Sequence, residues 1–341
     1  MSRKAWRDQV VETALEPDIA IVDAHHHVWE DKPFPPFDPY DDRDLLVDKT
    51  QSGHRIVGTV FVDSHTSYRS DGPEALRVVG ETDYAARIAE AALARGGTEA
   101  GICAAIVPSA DLRLGAAVVE VLDAHAAATP RFRGIRHMVA YDPDVPHSHH
   151  NGAGLMLRDD FRAGVAELVK RDLSFEAWLL QPQLPELITL ARIFPDARII
   201  LNHLGGPLTI GRFAADPKAS FAAWKADMAT LATCPNVSVK VGGLNMGMAG
   251  VDAAGLDAPL GSAQLAEAQR DYILTGIDLF GPARCMFESN VPVDSHNASY
   301  TVIWNVFKRL SSGFFADERA RLFKDTAMEV YRIDPALVAQ G

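Results

Sequence analysis

IAIVDAHHHVW, residues 19–29, is the stretch on which the reading of the whole chain turns. Its four leading apolar residues, Ile19 to Val22, predict a strand buried on both faces. Side chains able to ionise or ligate follow at once: Asp23, His25, His26 and His27. Successive side chains of a strand point to opposite faces, so Asp23, His25 and His27 are expected on one face and His26 on the other. Two imidazoles and a carboxylate converging in apolar surroundings are costly to bury unless they bind something. Metal is the obvious candidate, because neutral imidazole is the commonest protein ligand for it. The alternative is a solvated histidine-rich turn, which suits poorly a strand that leads straight into the cluster.

Seven further apolar runs follow. They are RIVGTVFVDSH (55–65), ending in Asp63 and His65, and GICAAIVPSADL (101–112). FRGIRHMVAYD (132–142) carries Arg136 and His137, SFEAWLLQ (174–181) ends on Gln181, and ARIILNHLGG (197–206) carries His203. NVSVKVGGL (236–244) carries Lys240, and RCMFESNVPVD (284–294) carries Glu288, Asn290 and Asp294. Helical periodicity is expected over 82–95, 116–128, 161–171, 185–194, 221–233 and 262–279, then over 300–310 and 318–331. The proline-rich segments 31–42 and 142–154 read as loops. Strands alternate with helices, and the special polar residues gather at the strands' carboxyl ends. That pattern predicts a (β/α)8 TIM barrel, an α/β fold whose active site lies at that face. A doubly wound sheet would want a glycine-rich phosphate loop after its first strand, where this chain has histidines. One barrel domain over 1–341, with loop insertions and C-terminal helices, is the expectation.

Composition narrows the function. A formal net charge of −12 over 341 residues, without basic runs, argues against nucleic acid or an anionic membrane as partner. Cys103, Cys234 and Cys285 are far apart and odd in number, which suits a reducing cytoplasm. The polar N-terminus shows no secretory pattern, and no apolar run approaches the ~20 residues of a membrane helix. A cytoplasmic enzyme with a small-molecule substrate is expected.

Together DAHHHVW, NHLGG, VKVGGL and RCMFESNVPVD resemble the amidohydrolase-related TIM-barrel hydrolases, the amidohydrolase 2 group. Within it the chain is most similar to the lactonase-like branch, which includes pyrone dicarboxylate and sugar lactonases. The resemblance runs from about residue 16 to 333. It implies that His25 and His27 are the first-strand HxH pair and His203 the sixth-strand histidine. These three would hold one divalent metal, zinc or manganese, or in a metal-free site polarise the substrate carbonyl. Two positions depart from the family pattern. Gln181 stands where a fifth-strand histidine is expected, and its amide is a weaker ligand for such ions. Asn290 stands where the eighth strand carries the aspartate that serves as general base. Losing a positioned base costs roughly 10²–10⁴-fold, and Glu288, two residues earlier on the same face, is the replacement the sequence offers.

The function expected is a hydrolase opening a lactone, ester or amide bond of a small acidic, cyclic or aromatic-derived metabolite. His25, His27, His203, Glu288 and Asn290 are the catalytic candidates, with Asn290 orienting rather than acting as base. His65, Arg136, His137, Gln181 and Lys240 are the candidates for substrate binding, Arg136 through bidentate contact with a carboxylate. Structural roles compete with these: Glu288 and Lys240 could form an ion pair across the barrel floor, and Asp23 could orient the histidines. His147, His149 and His150 look like a second metal cluster but sit in an aperiodic loop. The methionine-rich run from Asn245 reads as an adaptable pocket wall. A decarboxylase or hydratase on the same barrel is the alternative chemistry, and a non-catalytic binding protein a third. Phe314 and Phe315 make a homodimer an expectation to test.

Overall fold

Each of the eight apolar runs forms a parallel strand. The computed structural model describes residues 3–30, 38–145, 148, 152–251 and 255–339. The strands are β1 (Ala20–His26), β2 (Arg55–Val62), β3 (Ala105–Val107), β4 (Gly134–Met138), β5 (Ser174–Trp178), β6 (Arg198–Leu201), β7 (Val237–Val241) and β8 (Cys285–Phe287). Hydrogen-bonded neighbours run β1-β2-β3 and β4-β5-β6-β7-β8. Parallel bridges from Ile106 to Phe132 and from Ser109 to Arg136 join β3 to β4. A bridge from His26 to Val291 joins the end of β8 to β1, closing the ring. The result is a TIM barrel.

Helices cover the outside: α1 (Asp42–Gln51), α2 (Val79–Arg95), α3 (Val119–Ala128), α4 (Asp159–Lys170), α5 (Leu184–Ile193), α6 (Pro217–Ala232), α7 (Ser262–Phe280) and α8 (Tyr300–Leu310). Helix α1 is new relative to the sequence reading. It buries only Leu45 and Lys49 and so has no apolar stripe, but Asp41 and Asp44 form a reciprocal cap at its start. The helix expected over 318–331 starts earlier, at Ala316, and a π-turn interrupts it at Arg321–Asp325. Phe314 packs on the core while Phe315 is 77% exposed. Among the described residues, no helix is long and apolar enough to cross a membrane. His147, His149 and His150 lie outside the described residues.

The barrel's axis is apolar at one end and polar at the other. Val22, Ala24, Val60, Val62, Val107, Ile200 and Met286 form the inner cluster, and Ala327, Tyr331 and Ile333 from the C-terminal segment pack into it. Above that plug the interior carries charged side chains. The switch is made on β1 by a break in alternation. Val22 and Ala24 face inward, and Asp23 faces outward, accepting hydrogen bonds from Ser289 and Tyr300. The register between β1 and β2 then slips between Asp23 and His26. This bulge re-aims the strand, so that His25 and His27 turn inward and His26 packs outside against Phe61. Asp23 therefore does not share the face of His25 and His27, as strict alternation predicts. It braces the backbone instead, accepting from the N–H groups of His25 and Ser289.

Candidate active site

Six of the expected residues meet inside the C-terminal end of the barrel: His25, His27, Arg136, His203, Lys240 and Glu288. All are at most 5% exposed. His25 is the hub. Its Nε2 lies 3.1 Å from His27 Nε2 and 3.4 Å from Arg136 Nη1. Its Nδ1 lies 3.1 Å from both Lys240 Nζ and Glu288 Oε2. His27 Nδ1 faces the Val62 carbonyl at 2.9 Å. A carbonyl only accepts, so Nδ1 is the donor and Nε2 keeps its lone pair toward the site.

His203 is delivered by the turn that ends β6. His203 and Leu204 both adopt left-handed φ, near 52° and 53°, and Gly205 and Gly206 continue the tight turn. Glu288 Oε1 accepts from the His203 backbone N–H at 3.2 Å and from its Nδ1 at 2.7 Å. The glycine pair after β7 makes room for this contact. A Cβ on Gly242 would lie 2.6 Å from Glu288 Cγ, and one on Gly243 would lie 2.3 Å from His203 Nδ1. The VGGL motif is thus the seat of the His203–Glu288 pair.

Burial dominates the electrostatics. It pushes His25, His27 and His203 well below the usual histidine range, reinforced by Lys240 at His25 and by Arg136 at the other two. All three are uncharged near neutral pH. Glu288 is raised to about 8 by burial, against the opposing pull of Lys240. Burial lowers Lys240 as well, while Glu176 holds its charge. The floor ion pair is therefore Lys240 with Glu176, at 2.7 Å, rather than with Glu288. Glu176 also accepts from Asn202 Nδ2 at 2.8 Å and from the Tyr331 hydroxyl.

The remaining expectations are corrected or refined. Arg136 turns Nε to Asp63 Oδ1 and Nη2 to the Asp63 carbonyl, leaving chiefly Nη1 for a ligand rather than a two-pronged fork. His137 follows Arg136 on β4 and so faces outward, where its Nδ1 accepts from the Leu112 N–H and its ring meets Phe161. It is not in the site. Gln181 lies beyond the end of β5. Its amide donates to the Ser220 carbonyl at 2.9 Å and accepts from the Leu208 N–H at 3.2 Å, so it ties loops together. The β5 side chain that reaches His203 is Trp178, edge-on at 4.8 Å. Asn290 closes the barrel through its backbone N–H to the His25 carbonyl, and its Nδ2 donates to Asp294 Oδ1 at 2.8 Å. Its contact with His25 is through the backbone, while its side-chain amide is turned to Asp294. His65 stands at the rim, 40% exposed, with Nε2 3.5 Å from Asp63 Oδ2.

Glu176, Trp178 and Tyr331 were missed by the sequence reading. A charged residue inside the apolar run SFEAWLLQ was a signal for the first; Tyr331 arrives from the far end of the chain and left no local sign.

The donors that converge most closely for a cation are His25, His203 and Glu288, with ligand atoms within 4.8 Å of one another. Glu288 thus takes the place expected of His27. Glu288 Oε2 is buried and, apart from its 3.1 Å approach to His25 Nδ1, makes no hydrogen bond, the kind of oxygen a cation satisfies. The set fits a divalent ion of the zinc or manganese kind.

A barrel with inward histidines at its first and sixth strands and a carboxylate at its eighth defines a class. Residues 22–333 match the amidohydrolase family model, and the chain belongs to that family of enzymes. An uncharacterised protein, y4mH, of Sinorhizobium fredii is 32% identical over 334 residues, 93% of this chain and 99% of that protein. The L-fucono-1,5-lactonase of Burkholderia ambifaria is 27% identical over 92% of this chain and 96% of its own. In structure, an amidohydrolase of Burkholderia multivorans with bound zinc superposes with a TM-score of 0.68 at 24% identity, over 92% of this chain and all of that one. That likeness shows the common fold.

Proposed function

We propose that the enzyme hydrolyses the lactone ring of a small metabolite, with the chain acting as one barrel domain. The observation that carries the reading is the buried cluster in which two cations, Arg136 and Lys240, and two uncharged imidazoles, His27 and His203, surround His25 beside Glu288. The lactonase from Burkholderia ambifaria, similar along nearly its full length, supports it. In this reading water adds to the carbonyl carbon, the ring C–O bond breaks, and water's proton ends on the released hydroxyl. Glu288 holds His203 by Nδ1, so His203 Nε2 is the nitrogen open to that proton. Arg136 Nη1 and Lys240 Nζ supply positive charge, at fixed positions and away from water, where the oxyanion develops. The His203–Glu288 pair then returns the proton to the leaving alkoxide.

A divalent ion would be held by His25, His203 and Glu288, and when bound it would add Lewis-acid polarisation of the carbonyl. The buried, unpaired Cys103, Cys234 and Cys285 support a reducing, cytoplasmic setting.

Titration of acid released from a panel of lactones, esters and amides tests the reading. Wild type should open lactones well above the uncatalysed rate, and His25→Ala should abolish this. Release of carbon dioxide from aromatic acids, with every lactone untouched, would replace it with a lyase. Elemental analysis of the same preparations tests the ion: about one equivalent of zinc or manganese in wild type, lost in His203→Ala.

A further inference from the structure

One side of the site is apolar in a way the hydrolytic chemistry does not require. On β4 and β5, Met138 and Trp178 are register partners two residues beyond Arg136 and Glu176, on the same inward face. Trp178 meets the His203 ring directly. Around it Val145, Leu180 and Leu208 form a separate apolar cluster, against which the half-buried Met246 and Met248 pack from the loop after β7. This wall is built from the ends of β4 and β5 and from the loops after β4, β5, β6 and β7, and borders the imidazole assigned to proton transfer.

Three amide side chains among the described residues near the mouth are engaged with the protein itself. Asn290 and Asn245 both donate to Asp294, and Asn245 Oδ1 accepts from Gln269. Gln183 bonds the backbone of Tyr141, Leu180 and Val139. Through these bonds the amides brace the loops. A polyhydroxylated ring buried against Trp178 and the methionines would leave hydroxyls unpaired, at a cost of about 1–3 kcal/mol each. An aromatic or alkyl-bearing ring would instead gain contact with an aromatic face and with polarisable, adaptable thioethers.

We infer that the substrate is a lactone with an apolar face, aromatic or alkyl-substituted, seated on Trp178, and not a polyhydroxylated sugar lactone. The inference rests on the lactonase reading above and gives it a substrate class. The Burkholderia relatives are named for a sugar lactone, and the inference assigns this chain a different class of lactone.

The test compares two six-membered lactones, dihydrocoumarin and glucono-1,5-lactone, in wild type, Trp178→Ser, Trp178→Phe and Met248→Ser. Binding of chroman, a cyclic ether that cannot be hydrolysed, is measured in parallel by calorimetry. Wild type should prefer dihydrocoumarin in kcat/KM by about 100-fold, and Trp178→Ser should erase about 10–200-fold of that value. Trp178→Phe should keep most of it, and Met248→Ser, a second variant should Trp178→Ser fail to fold, should lose part. Preference for the gluconolactone, or indifference to both Trp178→Ser and Met248→Ser, would overturn the inference and leave the lactonase reading standing. Chroman binding that depends on Trp178, with neither lactone hydrolysed, would uphold the apolar wall and overturn the reaction. Neither hydrolysis nor chroman binding would overturn both.

Discussion

A methyl group at Gly243 would lie 2.3 Å from His203 Nδ1, and the residue already sits at φ +67°. Gly243→Ala is therefore expected to cost twice, through backbone strain and through displacement of the ring from Glu288. Lactone hydrolysis should fall by 10²-fold or more, while Gly313→Ala, which meets nothing within 4 Å, should be silent. Asn290 is the other instructive residue. By the family resemblance it stands where the eighth strand carries the general-base aspartate. Its amide in fact donates to Asp294, whose carboxyl burial raises from 3.8 to about 7. Because that value is raised, the folded state holds a proton the unfolded chain has released, and this share of stability is lost as pH rises through about 7. Asn290→Asp places a second carboxyl there, tolerable while a proton is shared and repulsive once both ionise. Scanning calorimetry should show a larger loss of Tm at pH 8 than at pH 5. An equal loss at both would contradict this placement of Asn290.

The strands show what a sequence pattern carries and what it omits. All eight were legible because each is an apolar run, and because Arg136, His203, Lys240 and Glu288 fall at or near the ends of four of them. Facing across the barrel was not legible. It depends on how strands are staggered, which no single strand records. Hence Lys240 was paired with Glu288 and its partner Glu176 was passed over, and the bulge after Asp23 was invisible to an argument from strict alternation. The Lys240–Glu176 pair is wholly buried. Removing one member leaves an uncompensated charge, so Glu176→Leu is expected to destabilise by about 3–5 kcal/mol in urea unfolding. Adding Lys240→Met should recover much of that stability and none of the activity, because the ammonium beside His25 is gone. Recovery of both would make the pair purely structural.

On the scale of the molecule, the C-terminal segment is what turns a ring of strands into a one-ended vessel. Tyr331 and Ile333 fill the axis from below, and the Tyr331 hydroxyl reaches Glu176 beneath the site. Substrate chemistry is thereby confined to the face where the loops converge. The fold and family were readable from motifs spread along the chain. The substrate was not, since the seat inferred for it depends on side chains such as Trp178, at the end of β5, and Met248, which carry no motif. The most direct measurement is acid release from a six-membered lactone by wild type and by Glu288→Gln. The isosteric amide keeps the packing beside Gly242 but can neither hold nor return a proton. Hydrolysis well above the uncatalysed rate in wild type, reduced 10²–10⁴-fold in Glu288→Gln, is the expected result. Full activity in Glu288→Gln, or none in wild type on any lactone, would contradict the account.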